Sequence, residues 1–177
     1  MSAIGGMHGV EHVGVTVPDI EEAKTFFVEA LGCEAYYELG PFADPDGTWM
    51  SDNLDVHPRA EIPKMAMLRC ANGASFELFE YKAPDQVQRV PKMADWGGTH
   101  IAFYVDDIDA ALAHVEAHGA RVLNGRKDCM GPEAGEEAYF AHFLSPWGQV
   151  FEFVSYPNGR EYMKDGTRPL YKPAPVS

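Results

Sequence analysis

Basic residues are scarce in this chain. Fourteen Lys and Arg stand against 27 Asp and Glu, a formal charge of −13 over 177 residues. A surface of that sign repels polyanions, so nucleic acid is excluded as a partner. Long apolar runs are missing too. None approaches the roughly 20 residues of a membrane span, and no membrane role is expected. The opening MSAIGGMHGVEH lacks the basic and apolar regions of a secretory signal. Cysteine is rare: Cys33, Cys70 and Cys129 are odd in number and form no CxxC. That usage points to free, buried thiols in a reducing cytoplasm and argues against a zinc finger or redox dithiol.

The composition is otherwise that of a globular protein, 46% hydrophobic and 23% charged. The length suits one compact domain or two packed halves. A chain of this size buries roughly 70% of its unfolded surface, so folding as such requires neither disulfide nor metal.

An internal repeat organises the sequence. HVGVTVPDI (12–20) matches HIAFYVDDI (100–108) at an offset of 88, and VEALG (28–32) matches VEAHG (115–119) at 87. Downstream, NGASFELFEY (72–81) matches WGQVFEFVSY (147–156) at 75. Each half reads alike: a strand opening at a histidine, then an aspartate capping a helix that ends at glycine, then further strands. Apolar residues at helical spacing (Ile20, Ala23, Phe26, Phe27, Ala30, Leu31) predict the first helix, and Ile108, Ala111, Leu112 and Val115 the second. Strands are expected over 33–39, 63–71, 74–82, 120–124, 137–144 and 149–156. The prediction is βαβββ, twice, in an α+β fold. Residues 40–62 read as a long turn-rich insertion, of the kind usually functional or mobile. The proline-containing tail, 158–177, reads as extended.

Four polar residues break the apolar strands. His12 and His100 open equivalent strands, while Glu77 and Glu152 sit among Phe76, Leu78 and Phe79 and among Phe151, Phe153 and Val154. A carboxylate in such a strand is costly to bury unless neutralised. Any one of the four alone reads as a rim or solvent-facing side chain. At matched repeat positions they point instead to one divalent ion, Zn, Ni, Co, Mn or Fe(II), with room for substrate oxygens.

These segments, HVGVTVPD, ASFELFEY, THIAFYVDD and WGQVFEFV, resemble the vicinal oxygen chelate superfamily, which includes glyoxalase I, methylmalonyl-CoA epimerase, extradiol dioxygenases and antibiotic-resistance proteins. The resemblance covers residues 8–157, as module 1 (about 8–82) and module 2 (about 95–157). It implies tandem βαβββ modules whose curled mixed sheet cups one metal, commonly in a homodimer. By position, the implied ligands are His12, Glu77, His100 and Glu152.

For glyoxalase-like lyase or isomerase chemistry the resemblance implies proton abstraction beside a carbonyl, with the metal stabilising an enediolate. Glu152 is the candidate base and Glu77 the second. A ring-cleaving Fe(II) dioxygenase is the alternative, using two histidines and one carboxylate. A protein that sequesters a small molecule in the same cavity is the third. Two departures stand out: Thr16 replaces an arginine that helps bacterial glyoxalase I hold glutathione, and Glu77 stands where epimerases typically carry glutamine.

Further candidates are less specific. Trp49, His57 and Arg59, in the insertion, are candidates to close over an anionic substrate, or simply belong to a solvated loop. Tyr104 shares a strand face with His100 and is a candidate cavity residue. His142, in AYFAHFL, lines the pocket or is hydrogen-bonded in its strand. His114 and His118 are four apart, but HVEAH is not HExxH, and an exposed helix face is expected.

Overall fold

The computed structural model describes residues 5–166 and 170–174. The backbone forms two compact units, one ending at Val87 and one spanning Gln88–Ala174. In the first lie β1 (His12–Val17), α1 (Ile20–Thr25) continued by a π-helical turn (Phe26–Ala30), β2 (Glu34–Leu39), β3 (Phe42–Ala43), α2 (Trp49–Leu54), β4 (Glu61–Arg69) and β5 (Ser75–Lys82). The second holds β6 (His100–Tyr104), α3 (Ile108–Ala117), β7 (Arg121–Val122), β8 (Lys127–Asp128), β9 (Tyr139–Leu144) and β10 (Val150–Ser155). The sheets share one topology, β1-β5-β4-β2 and β6-β10-β9-β7. In each, the first and last strands run parallel and the other pairs antiparallel. The α+β fold of two repeated modules is therefore as the repeat predicts. Each module also carries a two-residue strand, β3 on β4 and β8 on β9, beyond the simple βαβββ pattern.

The helix signals work as their chemistry requires. Asp19 accepts hydrogen bonds from the amides of Glu21 and Glu22, both at 2.9 Å, and Asp107 from that of Ala110 at 3.0 Å. Both satisfy donors that a helix start leaves orphaned. Gly32 and Gly119 end the helices with φ of +68° and +88°, a conformation that side chains with a Cβ resist. After α3, the Gly119 and Ala120 amides reach back to the Glu116 and Val115 carbonyls at 3.1 and 3.0 Å, a Schellman closure. After α1, the Cys33 amide reaches the Phe27 carbonyl, at 2.9 Å, one residue further back. Gly32 follows Asp19 by 13 positions and Gly119 follows Asp107 by 12. The π-helical turn takes up that extra residue, which is the shift from 88 to 87 in the repeat offset.

Strand alternation separates two faces in each unit. In the first, Phe76 and Leu78 of β5 are buried on the helix side, where Phe27 meets Phe76 with ring centroids 5.2 Å apart. In the second, Phe151 and Phe153 of β10 and Phe143 of β9 are buried together, with Phe143 and Phe153 4.6 Å apart. Glu77 and Glu152 alternate with these residues and so point to the opposite face.

Three expectations need correction. Residues 40–62 are not simply a loop. Short β3 pairs with β4, α2 buries Met50, and Met50 packs with Ala60, Ile62 and Met65. The cysteines are not all free either: Cys33 and Cys70 are disulfide-bonded, with Cα atoms 4.2 Å apart, and only Cys129 remains a free, buried thiol. Glu34 and Arg69 are register partners on β2 and β4, so the residues just outside them, Cys33 and Cys70, are brought face to face. Their repeat counterparts are Ala120 and Ser145, which cannot bond. Lastly, the segment after Pro157 does not run free. Arg160 is buried, pairs with Glu133 at 2.7 Å and lies over the Tyr156 ring, while the Glu161 amide bonds the Ala134 carbonyl at 2.7 Å. Pro169 and Pro175 lie outside the described residues.

Candidate metal centre

Each unit brings its own histidine and glutamate together by the same register. On β1 and β5 the Cα partners are Gly14 and Glu77, which places His12 one pleat repeat along from the glutamate on the same face. On β6 and β10 the partners are Ala102 and Glu152, and His100 lies equivalently. His12 Nε2 is 3.5 Å from Glu77 Oε2, and His100 Nε2 is 3.1 Å from Glu152 Oε2. Both glutamates are largely covered, with side-chain exposures of 22% and 14%, whereas the histidines at the strand starts are nearly half exposed.

His12 is held from both sides. Its Nδ1 bonds the Glu11 carboxylate, leaving Nε2 directed toward Glu77. The Glu11 hydrogen bond, the largest effect, raises the imidazole above its ordinary pKa; desolvation opposes it, and the Glu77 charge adds a lesser upward push. A carboxylate on one ring nitrogen is also how proteins orient an imidazole toward a metal with the other. In the second unit the set is larger. One ligand atom from each of His100, His142 and Glu152 lies within 4.8 Å of the others, the sole such group among the described residues. Imidazole nitrogen with carboxylate oxygen fits a borderline divalent cation.

His142 is the residue whose importance sequence reasoning left undecided. Its signal lies in the strand pairing, because it is the Cα partner of Glu152 across β9 and β10. Tyr104 is on the same strand face as His100, half-buried, edge-on to Tyr156 at 5.0 Å, with the Lys172 ammonium 4.2 Å above its ring.

Trp49, His57 and Arg59 cluster in the first unit and are tied to backbone. Arg59 donates to the carbonyls of Asp44, at 2.7 Å, and Gly47. His57 Nδ1 accepts from the Arg59 amide at 3.0 Å. The Asp44 carboxylate accepts the Trp49 and Gly47 amides, both at 2.9 Å, and these bonds hold its pKa below the ordinary value. The Trp49 side chain is exposed. His114 and His118 lie on an exposed helix face, where His118 Nδ1 bonds the His114 carbonyl region at 2.8 Å. No helix among the described residues is long and apolar enough to cross a membrane.

Residues 11–140 match the family model of the Glyoxalase/Bleomycin resistance protein/Dioxygenase superfamily. The chain belongs to that superfamily. Among this glyoxalase superfamily's members, it is 40% identical over 172 residues to a 2-epi-5-epi-valiolone epimerase of Actinomyces sp., covering 96% of this chain and 91% of the relative. It is 28% identical over 123 residues to an uncharacterized protein, YaeR, of Escherichia coli, covering 70% and 81%. A glyoxalase family protein from Bacillus cereus shares the fold, with a TM-score of 0.66 at 18% identity, covering 88% of this chain and 98% of the other.

Proposed function

We propose that this protein is a metal-dependent epimerase of a small polyhydroxylated ketone, inverting a carbon next to the carbonyl. The observation that carries this reading is the duplicated carboxylate: Glu77 and Glu152 occupy the same register position in two sheets of one topology, each beside a histidine. Epimerisation needs a proton removed from one face of a carbon and another delivered to the opposite face, and two acid–base groups from pseudo-symmetric halves suit that task. The 40% identity to a 2-epi-5-epi-valiolone epimerase supports the same class of reaction.

In this reading His12, Glu77, His100 and Glu152 serve one divalent metal, and residues 8–157 form the catalytic body, working as a cytoplasmic homodimer. The metal supplies Lewis-acid stabilisation of the negative charge that develops on two neighbouring substrate oxygens. Glu152 takes the proton from the carbon beside the carbonyl, and Glu77 carries the proton for the opposite face. Tyr104, on the strand face of His100, borders the substrate. Trp49, His57 and Arg59 form a structured cluster that is the candidate substrate-binding rim.

The test is proton exchange. The metal-loaded protein, incubated anaerobically in D2O with 2-epi-5-epi-valiolone, is expected to place deuterium at the carbon next to the carbonyl and to form the epimer. Absence of both deuterium and epimer overturns the reading. A second reading, a ring-cleaving Fe(II) dioxygenase, is favoured by the two-histidine, one-carboxylate composition of His100, His142 and Glu152. Turnover strictly dependent on O2 would select it.

A further inference from the structure

The two halves differ at the position directly opposite the glutamate of each sheet. At the offset of 75 that aligns Glu77 with Glu152, Met67 aligns with His142. The registers agree: Met67 is the Cα partner of Glu77 across β4 and β5, and His142 that of Glu152 across β9 and β10. Directly opposed residues on adjacent strands share a face. One glutamate therefore has a thioether as its neighbour and the other has an imidazole.

The His142 ring also keeps close company with the rest of the second unit's pair. It meets His100 edge-on, with centroids 5.3 Å apart and planes at 80°, and meets Phe140 edge-on at 5.7 Å. The ligand atoms of His100, His142 and Glu152 lie within 4.8 Å of one another. Donors bound at about 2.0–2.2 Å to one ion sit roughly 3–3.5 Å apart, so small side-chain rotations, not strand movement, suffice to gather these three. A methionine sulfur is a soft donor, poorly matched to the cations that imidazole and carboxylate select. Met67 gives the first unit no comparable third donor.

We propose that His142 is a metal ligand, and that the C-terminal half by itself holds the ion through His100, His142 and Glu152. Retention of the ion then does not depend on His12 and Glu77. This rests on the metal-dependent reading above and deepens it. It assigns the two halves unequal roles: the second is sufficient to retain the ion.

The experiment uses the full chain loaded with Co2+, read by metal content after dialysis and by X-ray absorption, which counts bound imidazoles. The unmodified protein is expected to show at least two imidazoles on one ion. The variant His142→Met installs the residue that the other half already carries at this position. It should weaken Co2+ binding about tenfold and lower the imidazole count by one, an effect of the size seen when a supporting group at a metal site is lost. His12→Ala with Glu77→Gln should keep one ion per chain, bound by two imidazoles. Adding His142→Met to that pair should weaken binding by at least about 100-fold.

Fewer than two imidazoles in the unmodified protein overturns the assignment without needing any variant to fold, and so does a count that His142→Met leaves unchanged. So does loss of the ion from the His12→Ala, Glu77→Gln protein, or unchanged affinity in His142→Met. In those cases metal dependence still stands. Failure of the unmodified protein to take up any divalent ion would remove the metal reading and this assignment together.

Discussion

The Glu152 carboxylate lies 3.1 Å from Nε2 of His100, on the neighbouring parallel strand, with only 14% of its side chain exposed. A group so placed can meet both a cation and a substrate proton. Replacing it with glutamine keeps size and shape but removes the negative charge. Glu152→Gln is expected to lower turnover by about 10²–10⁴-fold, the usual contribution of a positioned acid–base group. Circular dichroism and the melting midpoint should stay near wild type. Full retained activity would remove the assigned role.

The bond between Cys33 and Cys70 closes a loop with a sequence separation of 37. Its removal by Cys33→Ser is expected to lower stability by about 2–4 kcal/mol, read from denaturant midpoints at constant slope. Thiol titration in denaturant should find one free thiol, Cys129, before reduction and three after. Three before reduction would exclude the bond.

Acid should loosen the first unit through four surface charges. Lys24 pairs with Glu21 at 2.7 Å and with Glu38, and Lys64 pairs with Glu21 and, at 3.3 Å, with Glu38. Hydrogen bonds from Lys24 and then Lys64 lower the Glu21 pKa from 4.5 to about 2, and the same two lysines also hold that of Glu38 below its ordinary value. The folded chain thus binds fewer protons here than the unfolded one. The stabilisation is present above about pH 4.5 and lost as the pH falls toward 2. Lys64→Met should lower the melting midpoint at pH 6, with the gap to wild type narrowing as the pH falls from about 4.5 toward 2 and also in 1 M salt. A gap independent of pH would argue against the network.

Phe27 is fully buried and meets Phe76 where the π-helical turn rests on β5. Phe27→Ala should destabilise the chain by about 3–5 kcal/mol, from lost transfer energy and the cavity left behind. Chemical denaturation of the variant checks this, and a change below 1 kcal/mol would mean that the turn collapses to fill the space.

Much of this was legible in the sequence because the controlling signals are local or repeated. Asp19 and Asp107 mark helix starts, Gly32 and Gly119 mark ends, and matched His and Glu positions mark the strand face. What escaped depends on contacts between distant strands. Nothing near Cys33 or Cys70 signals their bond, which follows from β2 pairing with β4. Met50 and α2 looked like loop because a six-residue helix leaves too few turns to show a period. The importance of His142 emerges only when β9 is set against β10 in register.

The widened coil at Phe26–Ala30 shows where this architecture tolerates change in length. A helix can swell by one residue and still hand the chain to the next strand at a glycine. A ladder cannot: slipping β5 or β10 by a single position would turn Glu77 or Glu152 to the greasy side of its sheet. Length drift between the halves is therefore absorbed in coils and connections, while the spacing that aims the acids is held fixed.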